Sequence, residues 1–209
     1  MDLSTEVVSA IVQVVVLSLI PFIFFLFRKD KSVTFPQYLG LYNPPKRAVI
    51  FGLITSLLFL LIGIGLFFID DDARRSLLTA NSMPRKLQAT GVSGTSIAVL
   101  LIVALVKTSL AEEIFFRGFI AKRLIAGFDF STGNLIQSIL FGLIHLVLFA
   151  FLTDMKVIPL ILIFILTSMV AWTIGYINEK QANGSIVPGW IAHGLGNVMA
   201  YYMLAFVVL

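Results

Sequence analysis

No cysteine occurs anywhere in the 209 residues, which excludes disulfides and thiolate chemistry. Charge is scarce as well. Asp, Glu, Lys and Arg make up 12% of the chain while hydrophobic residues make up 59%, whereas soluble domains carry about 25% charged residues. There is no Gly-x-Ser-x-Gly elbow for a serine hydrolase and no His-Glu-x-x-His helix for zinc. Asp129 and Asp154 fall at helix ends, so an aspartate pair fits poorly. No internal repeat and no low-complexity tract is visible. A soluble domain is excluded.

What the chain has in place of charge is long apolar runs. Charge-free windows cover 7–27, 48–69, 87–106, 130–153, 157–178 and 181–209, each near or above the roughly 20 residues that cross a bilayer as a helix. Mean hydropathy is +1.02. The expected fold class is all-α: a polytopic membrane protein with about six transmembrane helices and a short interfacial helix after the first. Residues 1–209 form a single transmembrane domain. The first span is not a cleavable signal peptide, because its N-terminal flank is acidic (Asp2, Glu6) and its apolar run is too long.

The connections carry the remaining information. Within 32–45, Phe35, Tyr38, Leu39 and Tyr42 recur at helical spacing until Pro44 and Pro45 stop them, which predicts the interfacial helix with its tyrosines at headgroup level. Residues 70–95 read as a solvated loop with a short amphipathic helix around 74–87. The net charge of +4 is the topology signal of the loops and not a nucleic-acid footprint. Placing the 28–48 loop inside puts Arg28, Lys29, Lys31, Lys46, Arg47, Lys122, Arg123 and Lys180 in the cytoplasm, against Arg74, Arg75, Arg85, Lys86 and Lys156 outside. That bias predicts both termini outside; by analogy alone, the small size suits a prokaryotic plasma membrane.

Ionisable residues at membrane depth are expensive and default to a functional reading. Glu112 and Glu113 lie in the third span with Arg117. Glu113 and Arg117, Phe141 and His145, and His193 and Asn197 are each four residues apart, so each pair shares a helical face. Both histidines of the protein belong to this set. At the helical rise, Glu112 is roughly 15 Å from Lys122, His145 roughly 16 Å beyond Asn134 and His193 roughly 12 Å beyond Ser185. These depths agree within a turn and predict one site, in the cytoplasmic half of the bilayer.

Structural readings compete at each position. A lone intramembrane histidine or Asn197 is often interhelical glue, Glu113 and Arg117 can neutralise one another, and Phe141 suits packing. Lys107, on a different face, suits a watery cavity or a lipid phosphate. Glu112 resists such readings, since Arg117 neutralises only one of two adjacent carboxylates. What remains chemically is a carboxylate base with imidazole help acting on water, with imidazole and carboxamide donors for an oxyanion. Two histidines and a glutamate (Glu112, His145, His193) equally satisfy a catalytic site for zinc or another divalent metal. The residue types leave water activated by Glu112 and water activated by metal both open.

Glu112-Glu113-x-x-x-Arg117, Phe141-x-x-x-His145 and His193-x-x-x-Asn197 resemble the three motifs of the CPBP family, the CAAX proteases and bacteriocin-processing (Abi) enzymes, or type II CAAX prenyl endopeptidases. The resemblance covers about 95–205, with Tyr38-Leu39-Gly40-Leu41 as a weaker echo upstream. It implies an intramembrane endopeptidase, annotated in parts of the family as a metalloendopeptidase, whose site opens toward the cytosol. Its substrates would be membrane-associated peptides or lipidated proteins, including prenylated CAAX proteins or leader and pheromone peptides. Membrane lipid would be a partner and nucleic acid would not. By the same resemblance Glu112 activates water with His145, His193 and Asn197 stabilise the oxyanion, and Glu113 and Arg117 order the site. The competing functions are a proton-coupled transporter or channel, and a proteolytically inactive bacteriocin-immunity-type binding protein.

Overall fold

A computed structural model of the chain describes residues 2–28, 32–69 and 82–207, with only the backbone for 66–69. Among the described residues there are helices and no strands. Lipid offers no partner for backbone N–H and C=O groups, so each spanning segment must satisfy them within itself. The helices are α1 (Leu3–Leu26), α2 (Phe35–Leu39), α3 (Lys46–Ile69), α4 (Met83–Thr90), α5 (Gly94–Gly127), α6 (Phe130–Leu152), α7 (Val157–Gln181) and α8 (Val187–Phe206).

Five of these, α1, α3, α5, α6 and α7, are long and apolar enough to cross a membrane. The sixth long helix, α8, has 20 residues but is diluted by Trp190, His193, Asn197 and three glycines. Of the helix expected at 74–87, residues 74–81 lie outside the described residues, and the described part begins at Met83.

Local sequence sets the helix starts. The Asp2 side chain accepts the Thr5 N–H at 3.0 Å and the Thr5 and Ser4 hydroxyls, bonds that hold its carboxyl down at about 2. Asp129 caps α6 through the Thr132 N–H at 2.9 Å, which places its carboxyl below the usual carboxylate range. Ser93 and Ser96 form a reciprocal cap at the start of α5.

Helix α5 is the axis of the fold. Its 34 residues contain two π-helical stretches, Ile102–Leu110 and Phe116–Ala121, on either side of the α turn Ala111–Phe115. A π stretch bonds i→i+5 and is characteristic of functional positions. Helix α1 packs on α5, α8 packs on α3 and on the first π stretch, and α6 lies along α7. At that last seam a Cβ on Gly175 would overlap the Asn134 side chain, so only glycine allows the approach.

Polarity is inverted relative to a soluble protein. Val8, Ile11, Val12, Val15 and Val16 of α1 are exposed, while Glu113, Arg117, Asn134, Gln137, Ser138 and Asn178 are buried. Lipid replaces water as the outer solvent, so apolar faces turn outward and polar groups pair inside.

Helix α2 is short, as its sequence predicts, but it does not merely lie at a headgroup surface. Leu39 is buried against Ile114 and Ile186. Gly40 takes a left-handed conformation (φ 88°), and its carbonyl accepts the Ile186 N–H at 2.9 Å. Tyr42 donates to the Asn183 carbonyl at 2.7 Å, and the Tyr38 ring lies under Arg123 at 4.1 Å and Arg28 at 4.9 Å. The tyrosines expected at headgroup level also make contacts within the protein. Lys122 closes this end by donating to the Gly184 carbonyl at 2.7 Å and to Glu179 at 3.1 Å.

Lys107 is also placed differently from its sequence reading. It pairs with Glu6 of α1 at 3.0 Å, and Lys86 of α4 stands 3.8 Å from the same carboxylate. This ion cluster joins α1, α4 and α5 at the end of the bundle opposite α2.

Candidate functional site

The three polar pairs meet. The α turn at 111–115 projects both glutamates between the π stretches, α6 brings Phe141 and His145, and α8 brings His193 and Asn197. Glu113 and Arg117 are fully buried, with Arg117 Nη1 3.1 Å from Glu113 Oε1. The same Glu113 Oε1 lies 3.2 Å from His193 Nδ1. The other ring nitrogen, His193 Nε2, faces Glu112 Oε2 at 3.8 Å. That separation is too long for a direct hydrogen bond and short enough for one water to bridge.

Phe141 is the hub. Its ring centroid is 4.4 Å from that of His145 and 6.0 Å from that of His193, and the Arg117 guanidinium sits 4.2 Å above it. A cation over an aromatic face gains about 0.5–2 kcal/mol, most when both are out of water. Phe141 is therefore packing, as its apolar character suggests, and also the surface that spaces the charged groups. Phe116 buttresses it edge-on at 5.0 Å.

The backbone and the carboxylates dictate the imidazole tautomers. His145 Nδ1 lies 2.9 Å from the Phe141 carbonyl, an acceptor only, so Nδ1 carries the hydrogen and a neutral His145 offers a lone pair at Nε2. His193 Nδ1 faces a carboxylate and by the same logic carries a hydrogen. A neutral His193 is thus an acceptor at Nε2; donating there requires the imidazolium. Glu112, Glu113, Arg117 and His193 thus form one contiguous cluster of ionisable side chains.

The Glu112, His145 and His193 donor set was tested against a metal. Among the described residues no three His, Asp or Glu side chains converge as a metal-holding group. Glu112, His145 and His193 as placed do not fit a bound metal.

Beside these groups is a cavity of about 730 Å³ whose wall includes His145, His193, Asn197, Thr108 and Tyr201. Glu112 is not part of that wall; it reaches the cavity through His193. The cavity runs past Leu148, Leu152 and Thr153 of α6 to Ser82, Met83 and Pro84 beside α4. That is the end of the bundle opposite α2, the end that the Lys and Arg count places outside. The cavity therefore extends from the site toward the α4 end. The depth estimates place the three motifs at one level and carry no information on the direction in which the cavity runs.

Two neighbours were missed in the sequence. Tyr201 follows Asn197 by one turn and lines the cavity; its spacing of eight from His193 was a legible signal. Ser109, fully buried, accepts a hydrogen bond from Asn197 Nδ2 at 3.1 Å. Nothing in the sequence distinguishes it from any small helical residue, because the contact depends on the π register.

Comparison with known proteins adds one match. The family model described as "Type II CAAX prenyl endopeptidase Rce1-like" matches residues 94–199, from the start of α5 to two residues short of Tyr201. No curated protein and no solved structure matches the chain.

Proposed function

We propose a function from one premise: the chain belongs to the Rce1-like family of type II CAAX prenyl endopeptidases. The family is one of proteases acting on peptide or prenylated-protein substrates, and this member is an integral membrane protein. The proposal is that it is an intramembrane endopeptidase in which Glu112 activates a water molecule, with substrate reaching the site through the cavity at the α4 end.

The observation that carries this reading is the placement of His193 between two glutamates, with Glu113 on one ring nitrogen at 3.2 Å and Glu112 3.8 Å from the other, so that one water beside the pair can touch both. Water hydrogen-bonded to Glu112 beside that pair donates a proton to it while its oxygen attacks the peptide carbonyl. His145, a neutral acceptor at Nε2, orients the same water. The carbonyl oxygen becomes an oxyanion and takes hydrogen bonds from imidazolium His193 and from the Asn197 carboxamide. Collapse of the intermediate breaks the C–N bond, and Glu112 returns its proton to the departing amine. Glu113 and Arg117 fix the His193 ring and balance its charge. The substrate classes that fit are prenylated CAAX-type proteins and peptide leaders, whose apolar parts suit the Leu148, Phe149 and Leu166 wall.

The test is cleavage of a fluorogenic prenylated peptide, beside its unmodified form, by protein in proteoliposomes. Positioned acid–base groups contribute about 10²–10⁴-fold, so Glu112→Gln and His145→Ala should each lower kcat by at least about 100-fold with the fold intact. Full turnover by Glu112→Gln defeats the mechanism. Absence of cleavage by the wild type on either peptide favours the inactive binding-protein reading.

A further inference from the structure

The oxyanion role given to Asn197 depends on which way its carboxamide faces, and nothing on α8 itself decides this. The group that decides it is on α5. Asn197 Nδ2 donates to Ser109 Oγ at 3.1 Å. Ser109 Oγ in turn donates to the Ala104 carbonyl at 2.6 Å, so its own hydrogen is committed and its lone pair must accept. A serine hydroxyl with its hydrogen placed elsewhere can only receive the NH₂ end of an amide, never the carbonyl end. We infer that Ser109 is a positioning residue for peptide hydrolysis, holding the Asn197 carboxamide with its NH₂ toward α5 so that the second N–H is available to the oxyanion in the cavity. The inference rests on the proposed endopeptidase reading.

Three features make this a fixed device. Ser109 is fully buried, so water cannot substitute for it. Ala104 is five residues back within the π stretch Ile102–Leu110, and that i→i−5 reach ties Ser109 to the widened register and not to an α-helical one. Trp190, also on α8, donates to the Leu105 carbonyl at 2.7 Å, so the same stretch is pinned to α8 at a second point, about one turn before His193. The π stretch thus aims one side-chain acceptor and one backbone acceptor at the helix that carries His193 and Asn197.

A double-mutant cycle tests this, because a residue that acts through Asn197 has nothing left to do once Asn197 is gone. Cleavage kinetics would be measured for wild type, Ser109→Ala, Asn197→Ala and the double variant, with thermal melting of each. One oxyanion donor contributes about 10²–10³-fold in kcat. Ser109→Ala, which leaves that donor present but loose, should lower kcat by about 10-fold with KM within twofold of wild type. In the Asn197→Ala background it should have no further effect. Ser109→Ala turning over within twofold of wild type, or lowering kcat equally in both backgrounds, would overturn the inference while the endopeptidase reading stands. An inactive wild type overturns both. Should Ser109→Ala not be recovered folded, Ser109→Cys, similar in shape and a weak acceptor, takes its place in the cycle with the same outcomes.

Discussion

Replacing Arg117 by methionine removes a charge while keeping most of the buried volume, and its cost follows from the geometry. Arg117 and Glu113 are fully enclosed with N and O 3.1 Å apart. At an effective dielectric constant near 20, that attraction is about 5 kcal/mol. The cation over Phe141 adds about 0.5–2 kcal/mol. Losing one partner of a buried pair strands the other, which costs about 3–5 kcal/mol. Arg117→Met should therefore lower unfolding stability by about 3–5 kcal/mol, read by equilibrium unfolding in mixed micelles. Removing both charges strands neither, so Glu113→Leu with Arg117→Met should recover most of the loss without recovering cleavage. A loss below about 1 kcal/mol for Arg117→Met is the value of an exposed pair; it would show that the pair is solvated and refute its description as enclosed.

The remaining predictions use the same measurements. The Lys107–Glu6 pair is partly exposed, at 26% and 15%, so Glu6→Gln should cost at most about 1 kcal/mol in unfolding stability; a loss approaching that of Arg117→Met would contradict the distinction between the two ends of the bundle. Gly175→Ala drives a methyl into Asn134 and the α6–α7 seam, and overpacking of that kind should cost about 1–3 kcal/mol; unchanged stability would mean that the seam yields.

The three motifs were legible because their chemistry is expensive. Glutamate, arginine and histidine inside apolar runs have few cheap explanations, and the four-residue spacing of each pair fixes a shared face wherever the helix lies. The same cost made Glu112 hard to assign to packing. Lys107 was misread because its partner, Glu6, sits 101 residues away on a helix whose rotation the sequence leaves free. The protein contacts of the interfacial tyrosines were hidden for a related reason. An aromatic near a basic pair suits a headgroup and a protein surface equally, and only the α7–α8 loop folding back onto Gly40 separates them.

Sequence alone determined the solvent, the number of long helices and the polar residues that had to find one another, since hydropathy and helical period act locally on each segment. The tertiary structure decided the partners: which carboxylate takes Arg117 and His193, toward which end of the bundle the cavity runs, and that α5 leaves the α register on both sides of its glutamates. Those outcomes depend on helix rotation and on small shifts in backbone hydrogen bonding. Such shifts cost little within any one helix, so packing against the others settles them.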